Sequence, residues 1–231
     1  MSELTVASRF CGPPGTAHGG YVSGLFASHA PEVVRVRLER PVPLDVPLRV
    51  ERRGEGRLEL LHQGQRVARA EPAELELQPP APPDYLDALD ASRRYVAFEK
   101  HFFPDCFVCG TARARGDGLR IFAGATRSGD MVAAPWVPDT SLGHADGKIG
   151  AEFMWAALDC PGYFAARNDG KPMVLGEFTA HVDRRVHIDE PCVVIGWKIG
   201  ASGRKHEVGT ALFDEDGELC GRARATWIEL R

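Results

Sequence analysis

The chain has 231 residues, 44% of them hydrophobic, with a formal net charge of −4 and a pI near 6.1. That is enough apolar material for a sizeable core, and the overall charge excludes a chain drawn as a whole to nucleic acid or to an anionic membrane surface. No apolar stretch approaches the roughly 20 residues of a membrane span, the N-terminus with Glu3 lacks the basic-then-apolar order of a signal peptide, and the six cysteines include only one closely spaced pair. A globular cytoplasmic protein with buried thiols is therefore expected.

Read in chain order, Gly15-Thr-Ala-His18-Gly19-Gly20 opens an apolar run. Val22, Leu25, Phe26 and Ala27 predict a short helix over 21–29, stopped at Ala30-Pro31 because proline disfavours helix at the residue before it. Val34, Val36 and Leu38 alternate with Arg35, Arg37 and Glu39, which predicts a strand with one buried face. Further strands are expected at 48–52, 57–62 and 65–77, the middle pair turning at Gln63-Gly64. Gln78-Pro-Pro-Ala-Pro-Pro83 reads as a semi-rigid linker and residues 84–99 as an extra helix. Strands at 119–122 and 131–137, a helix at 150–158 and a meander over 178–188, 192–199, 207–213 and 218–230 complete the chain. The predicted organisation is a first unit at 1–78, a linker with the extra helix at 79–105, and a second unit at 106–231.

The two units repeat the same three motifs in the same order. The helix mouth at His18 corresponds to Gly150-Ala-Glu152, Pro41-Val-Pro-Leu-Asp45-Val-Pro47 to Arg185-Val-His-Ile-Asp189-Glu-Pro191, and Gln63-Gly64 to Asp216-Gly217. The offsets lengthen from 132 (18 to 150) to 144 (45 to 189) to 153 (64 to 217), as small insertions require. The even offset of 144 keeps the strand phase, placing Phe178, Ala180, Val182, Val186 and Ile188 on the buried face like Val34, Val36 and Leu38. Two repeats of this size indicate an internally duplicated domain and not a solenoid.

A helix wrapped by a long antiparallel sheet, with His18-Gly19-Gly20 at its mouth, resembles the hotdog fold, and the duplication implies an α+β double hotdog. Cys106-Phe-Val-Cys109-Gly110 followed by Gly118-Leu119 resembles the lead-in of phenylacetyl-CoA-thioesterase-like units. Gly203-Arg204-Lys205 through Asp214-Glu-Asp-Gly217-Glu-Leu-Cys-Gly-Arg-Ala resembles the last hairpin of that family and of acyl-CoA thioesterase II, itself a double hotdog. In such relatives an acid lies nine positions after the histidine. Counting from His18 reaches Ala27, and counting from Gly150 reaches Asp159. One copy has thus kept the glycine-histidine mouth and the other the carboxylate, and the resemblance implies one composite site across the two units, with its counterpart dead.

What the resemblance implies for chemistry is hydrolysis of an acyl-CoA thioester. Asp159 would serve as base or nucleophile, the N–H groups of Gly19 and Gly20 at a helix start as donors to the thioester oxygen, and His18 as an orienting group. Each residue also has a structural reading: Gly19-Gly20 as a tight turn into a packed helix, Asp159 as the end of a helix before Cys160-Pro161. An acid in a last turn nevertheless opposes the helix dipole by ~0.3–1 kcal/mol, and Pro161 breaks the helix beside it. Substrate contacts are expected from Gly15, from Glu177 or Thr179 if they are not simply a solvated strand face, and from Arg204 and Lys205 facing the coenzyme A phosphates if they are not simply an exposed hairpin.

Departures from the relatives are Gly12 where an asparagine stands, Leu175-Gly-Glu177 where a serine or threonine stands, and a residue near Ala225 where thioesterase II carries glutamine. They keep open a non-catalytic acyl-CoA binding protein on the same fold. A hydratase of the double-hotdog kind is a poor match, since His144-Ala-Asp146 has the wrong order and spacing. No metal is expected, because a structural zinc needs four ligands; Cys160, Cys192, Cys11 or a histidine would have to converge on Cys106 and Cys109 from far along the chain. No cofactor is expected beyond coenzyme A as part of the substrate. The partners expected are an acyl-CoA or related thioester and, through sheet packing, a second copy of the chain.

Overall fold

The computed structural model describes residues 2–166 and 170–231. Its elements in chain order are β1 (Ser2–Leu4), α1 (Gly19–Ala27), β2 (Val34–Leu38), β3 (Leu48–Arg52), β4 (Leu58–His62), β5 (Gln65–Pro72), α2 (Tyr85–Ser92), β6 (Gly124–Ala125), β7 (Met131–Trp136), α3 (Ala151–Ala157), α4 (Cys160–Ala165), β8 (Met173–Val182), β9 (Cys192–Ser202), β10 (Lys205–Phe213) and β11 (Leu219–Glu229). The strands form one sheet of order β1-β3-β4-β5-β2-β8-β11-β10-β9-β7-β6.

That order reads alike from either end about the seam between β2 and β8. β3-β4-β5-β2 on one side mirrors β9-β10-β11-β8 on the other. At the seam the two strands run antiparallel with Arg35 opposite Thr179 and Val36 opposite Phe178, and the offset of 144 between Asp45 and Asp189 also relates Arg35 to Thr179. The repeated motifs hold matching conformations. Asp45 and Asp189 both adopt the left-handed region, at φ 56° and 61°, which few non-glycine residues enter. Gly64 and Gly217 both turn at φ 79°, and His18 and Gly150 are the N-caps of α1 and α3.

Both central helices lie on the inner face of the sheet, where Val34, Val36, Phe178 and Ala180 are buried. They approach each other at backbone distance because α1 presents Gly20 and Gly24, four residues apart and so on one side of the helix. A Cβ on Gly24 would stand 2.8 Å from the Glu152 Cα and 2.8 Å from the Trp155 Cβ; on Gly20 it would stand 2.6 Å from the Asp159 Cβ. The outer face is mostly charged, with Arg35 paired to Glu71 at 2.6 Å and Arg37 to Glu177. The extra helix α2 covers one end of it, packing Ala88 and Ala91 against Ala133, Val193, Ile195, Ala211 and Phe213.

Several boundaries differ from the sequence expectation for identifiable reasons. The first helix begins at Gly19, two residues early, since His18 caps it by accepting from the Tyr21 N–H. The strand expected to reach residue 77 ends at Pro72, which has no N–H to give a ladder. The extra helix is capped by Asp84 and ends at Ser92, with a separate 3-10 turn at Val96–Phe98. The strand expected at 119–122 is instead an extended segment whose Leu119 and Ile121 N–H groups donate to the Phe107 and Val108 carbonyls, tying it to the Cys106–Cys109 turn. The strand expected over 178–188 is β8, which starts at Met173 and ends at Val182, so Val186 and Ile188 lie beyond it. Strand β1 was not foreseen, being three residues long. Among the described residues no helix is long and apolar enough to cross a membrane.

The helix contact sets a direct expectation. Gly24→Ala should lose about 1–3 kcal/mol to overpacking even though alanine favours helix by about 1 kcal/mol, and a urea titration of the two proteins would show a lower midpoint for the variant; an unchanged or higher midpoint would contradict the contact.

Candidate functional site

The site forms where the start of α1 meets the break between α3 and α4. His18 is the N-cap of α1: its Nδ1 accepts the Tyr21 N–H at 3.2 Å, so Nε2 carries the proton of the neutral ring. On the opposite side, α3 ends at Ala157 and α4 begins at Cys160, with Pro161 in its first turn. Proline supplies no N–H to the Ala157 carbonyl. The Leu158 carbonyl is held by the buried Thr210 hydroxyl at 2.6 Å. Asp159 sits in the break, 1% exposed.

The two sides meet through Asp159. Its Oδ2 accepts the Gly20 N–H at 2.7 Å and lies 3.5 Å from His18 Nε2, while its Oδ1 is buried without a hydrogen-bond partner among the described residues. Burial pushes the carboxyl up to about 6, against the opposing pull of His18 and the Gly20 N–H. His18 Nε2 also stands 3.3 Å from Cys160 Sγ. Burial works against a charged imidazole, but Cys106 and then Asp159 outweigh it, and His18 titrates above its ordinary value.

Beside these groups opens a cavity of about 960 Å³, in the range of small-molecule sites. Its inner end holds His18, Gly19, Asp159 and Cys160, and Leu175, Phe164 and Trp227 give it apolar walls. The segment 96–109, which carries the chain from α2 into the second unit, supplies another wall. Two exposed cations, Arg40 and Lys100, line the rim.

The structure therefore brings together His18, Gly19, Gly20 and Asp159, the four residues read from the sequence as one composite site. It divides their roles differently. The Gly20 N–H is engaged by Asp159, so of the two glycine donors it is Gly19, first in the helix and with no intrahelical acceptor, that borders the cavity.

The remaining expected contacts lie elsewhere. Gly15 occupies an exposed turn at φ 70° and does not line the cavity, although Gly12, Pro13 and Thr16 do. Glu177 and Thr179 alternate with the inward Phe178 and so face the outer side of the sheet, Glu177 paired with Arg37. Arg204 donates to the Glu229 carbonyl at 2.8 Å and Lys205 is exposed; neither lines the cavity. His144 is exposed, and Asp146 pairs with Arg185 away from the site. Arg40, Lys100, Leu175 and Trp227 were missed. Only Leu175 carried a sequence signal, as the apolar residue where relatives place a hydroxyl.

The relatives in structure agree with this architecture. No family model matches the chain, and no curated protein matches it in sequence. Among solved structures, a protein of Novosphingobium aromaticivorans assigned as a thioesterase superposes with a TM-score of 0.63 at 13% identity, covering 99% of this chain and 95% of that one. The chain is a double hotdog. A tesB protein of Mycobacterium avium subspecies paratuberculosis gives a TM-score of 0.60 at 16% identity over 93% and 88% of the two chains, and a protein of Thermobifida fusca assigned as a thioesterase II gives 0.60 at 14% identity over 99% and 92%.

In this double hotdog the buried acid is unfavourable for folding. An aspartate raised by burial to about 6 destabilises the native state at neutral pH, since every tenfold weakening of the acid is worth about 1.4 kcal/mol. Asp159→Asn, whose amide oxygen can still accept the Gly20 N–H, should therefore be more stable than the wild type, by up to about 3 kcal/mol at pH 7.5. Chemical denaturation measures it, and a clear loss of stability would mean that the carboxylate is held for structure.

Proposed function

We propose that the chain hydrolyses an acyl-CoA thioester in this cavity. A water attacks the thioester carbonyl and gives its proton to Asp159; the oxygen gains negative charge near the Gly19 N–H, and collapse of the intermediate breaks the C–S bond as Asp159 returns that proton to the departing sulfur, releasing the acid and the coenzyme A thiol. The observation that carries the reading is the Asp159 carboxylate, buried and anchored by one oxygen to the Gly20 N–H while the other has no partner among the described residues. An acceptor oriented through one atom and unpaired at the other suits a general base. The apolar walls suit an acyl chain and pantetheine arm, and Arg40 and Lys100 suit the phosphates.

Non-catalytic binding of an acyl-CoA is the second reading, favoured by Leu175, which places an apolar side chain beside Gly19 where relatives carry a hydroxyl. Thiol release from a panel of acyl-CoA esters decides between them. With turnover, Asp159→Asn should lower kcat/KM by about 10²–10⁴-fold while thioester binding persists. Wild-type protein that binds the esters and releases no thiol would establish the second reading, and full activity in Asp159→Asn would remove the acid from the mechanism.

The rim cations yield a separate expectation. Lys100→Ala and Arg40→Ala should raise KM with little change in kcat, because they touch a part of the substrate that does not change between ground and transition state. The effect should shrink with a thioester truncated at the pantetheine, which lacks the nucleotide phosphates; an equal effect on both substrates would contradict the contact.

A further inference from the structure

Three soft or borderline donors from distant parts of the chain converge beside Asp159, with a further thiol nearby on the turn that carries one of them. The Cys106 and Cys160 sulfurs are 3.8 Å apart, His18 Nε2 is 3.3 Å from Cys160 Sγ, and the donor atoms of these three residues all lie within 4.8 Å of one another. Cys109 lies on the same turn as Cys106 and borders the same cavity. All four side chains are buried, with exposures of 3%, 4%, 5% and 4% for His18, Cys106, Cys109 and Cys160.

The spacing is that of a coordination shell. With Zn–S near 2.3 Å and Zn–N near 2.0–2.1 Å, two sulfurs at tetrahedral angles stand about 3.8 Å apart and a sulfur and a nitrogen about 3.5 Å. A disulfide would bring one sulfur pair to about 2.05 Å and leave the third thiol unmatched. The turn that presents Cys106 and Cys109 is also rigid. Gly110 donates to the Cys106 carbonyl at 2.9 Å, and a Cβ on it would stand 2.4 Å from the Cys106 and Pro104 carbonyl oxygens. The Cys109 carbonyl in turn accepts the Tyr95 hydroxyl at 3.0 Å.

We infer that His18, Cys106 and Cys160, converging as three ligands, bind a zinc ion with Cys109 of the same turn closing a tetrahedral shell on loading, and that the ion clips together the start of α1, the Cys106–Cys109 turn and the start of α4. Coordination through Nε2 moves the imidazole proton to Nδ1 and so exchanges the long 3.2 Å bond from the Tyr21 N–H for a metal bond. The clip's ligands flank the functional groups directly: His18 precedes Gly19, and Cys160 follows Asp159. A closed four-ligand shell is structural and has no position left for substrate, so the inference stands on the donor geometry alone and holds whether or not the cavity hydrolyses thioesters.

Purified full-length protein, expressed with zinc and handled without chelators under reducing conditions, tests it. Elemental analysis should find about one zinc ion per chain, released by a mercurial reagent. Cobalt(II) exchanged into the site should give the intense visible bands and thiolate charge-transfer absorption of a tetrahedral thiolate-imidazole shell. Cys106→Ser and Cys109→Ser should abolish retention, whereas Cys192→Ala, altering a buried thiol outside the cluster, should keep it. Because a ligand variant can fail to fold, the wild type also carries the test by itself. Wild-type protein that retains no zinc after loading and desalting, cobalt spectra without thiolate bands, or isolation of a metal-free Cys106–Cys160 disulfide from reducing cells would each overturn the site, as would undiminished zinc in folded Cys106→Ser.

Discussion

The hydrogen bond from the Gly20 N–H to Asp159 is the contact on which the rest of the arrangement depends. It joins a main-chain donor of one central helix to a carboxylate at the end of the other, and it is short because nothing larger than hydrogen stands on Gly20. A Cβ there would take the space of the Asp159 Cβ and of the Trp155 carbonyl, at 2.6 and 2.7 Å. The packing of the core and the geometry of the site are therefore one constraint. A repacked α1–α3 contact cannot leave the acid where it is.

The seam between β2 and β8 gives the molecule an approximate two-fold relation, yet the two places where a helix start meets a helix end have diverged. Ala27 stands where Asp159 does in the other copy, and Gly150 caps α3 without a side chain. Along the contact between the helices, Phe10 stacks on Tyr21 at 4.2 Å, and Phe107 and Phe153 pack beside them. Beside His18 and Asp159 the space is a cavity. Packing aromatic side chains adds burial and stability; leaving a crevice open is the concession that a ligand needs. A fused pair can separate these tasks, whereas a symmetric pair of identical chains must repeat each one.

What the sequence made legible follows from the range of each signal. The alternation in Val34, Val36 and Leu38, the turns at Gly64 and Gly217 and the helix mouth at His18 are local, and they placed the strands and the central helices. The pairing of His18 with Asp159 became readable only because the repeat supplied an alignment of the chain with itself. Arg40, Lys100 and Trp227 have no such register; they reach the cavity from the end of β2, from the segment 96–109 and from β11, and no local pattern reports that convergence. Glu177 and Thr179 failed for a simpler reason, since strand parity alone put them opposite Phe178 and on the outer face. The closely spaced Cys106 and Cys109 were legible only as a pair of thiols, and only tertiary structure brings His18 and Cys160 beside Cys106.

Asp159 also shows why its position is stable in design while being unfavourable in energy. Burial raises it to about 6 and one of its oxygens has no partner among the described residues, two penalties on one side chain. A neutral residue of similar size would remove the cost of the buried charge, and a purely structural helix break already has Pro161 to make it. The surrounding scaffold meanwhile fixes the acid from several directions: the Thr210 hydroxyl donates to the Leu158 carbonyl before it, the Gly162 N–H donates to its own carbonyl at 3.0 Å, and the Gly20 N–H donates to its carboxylate. Rigid support around a group that weakens the fold is the pattern expected when the group is kept for what it does to a ligand.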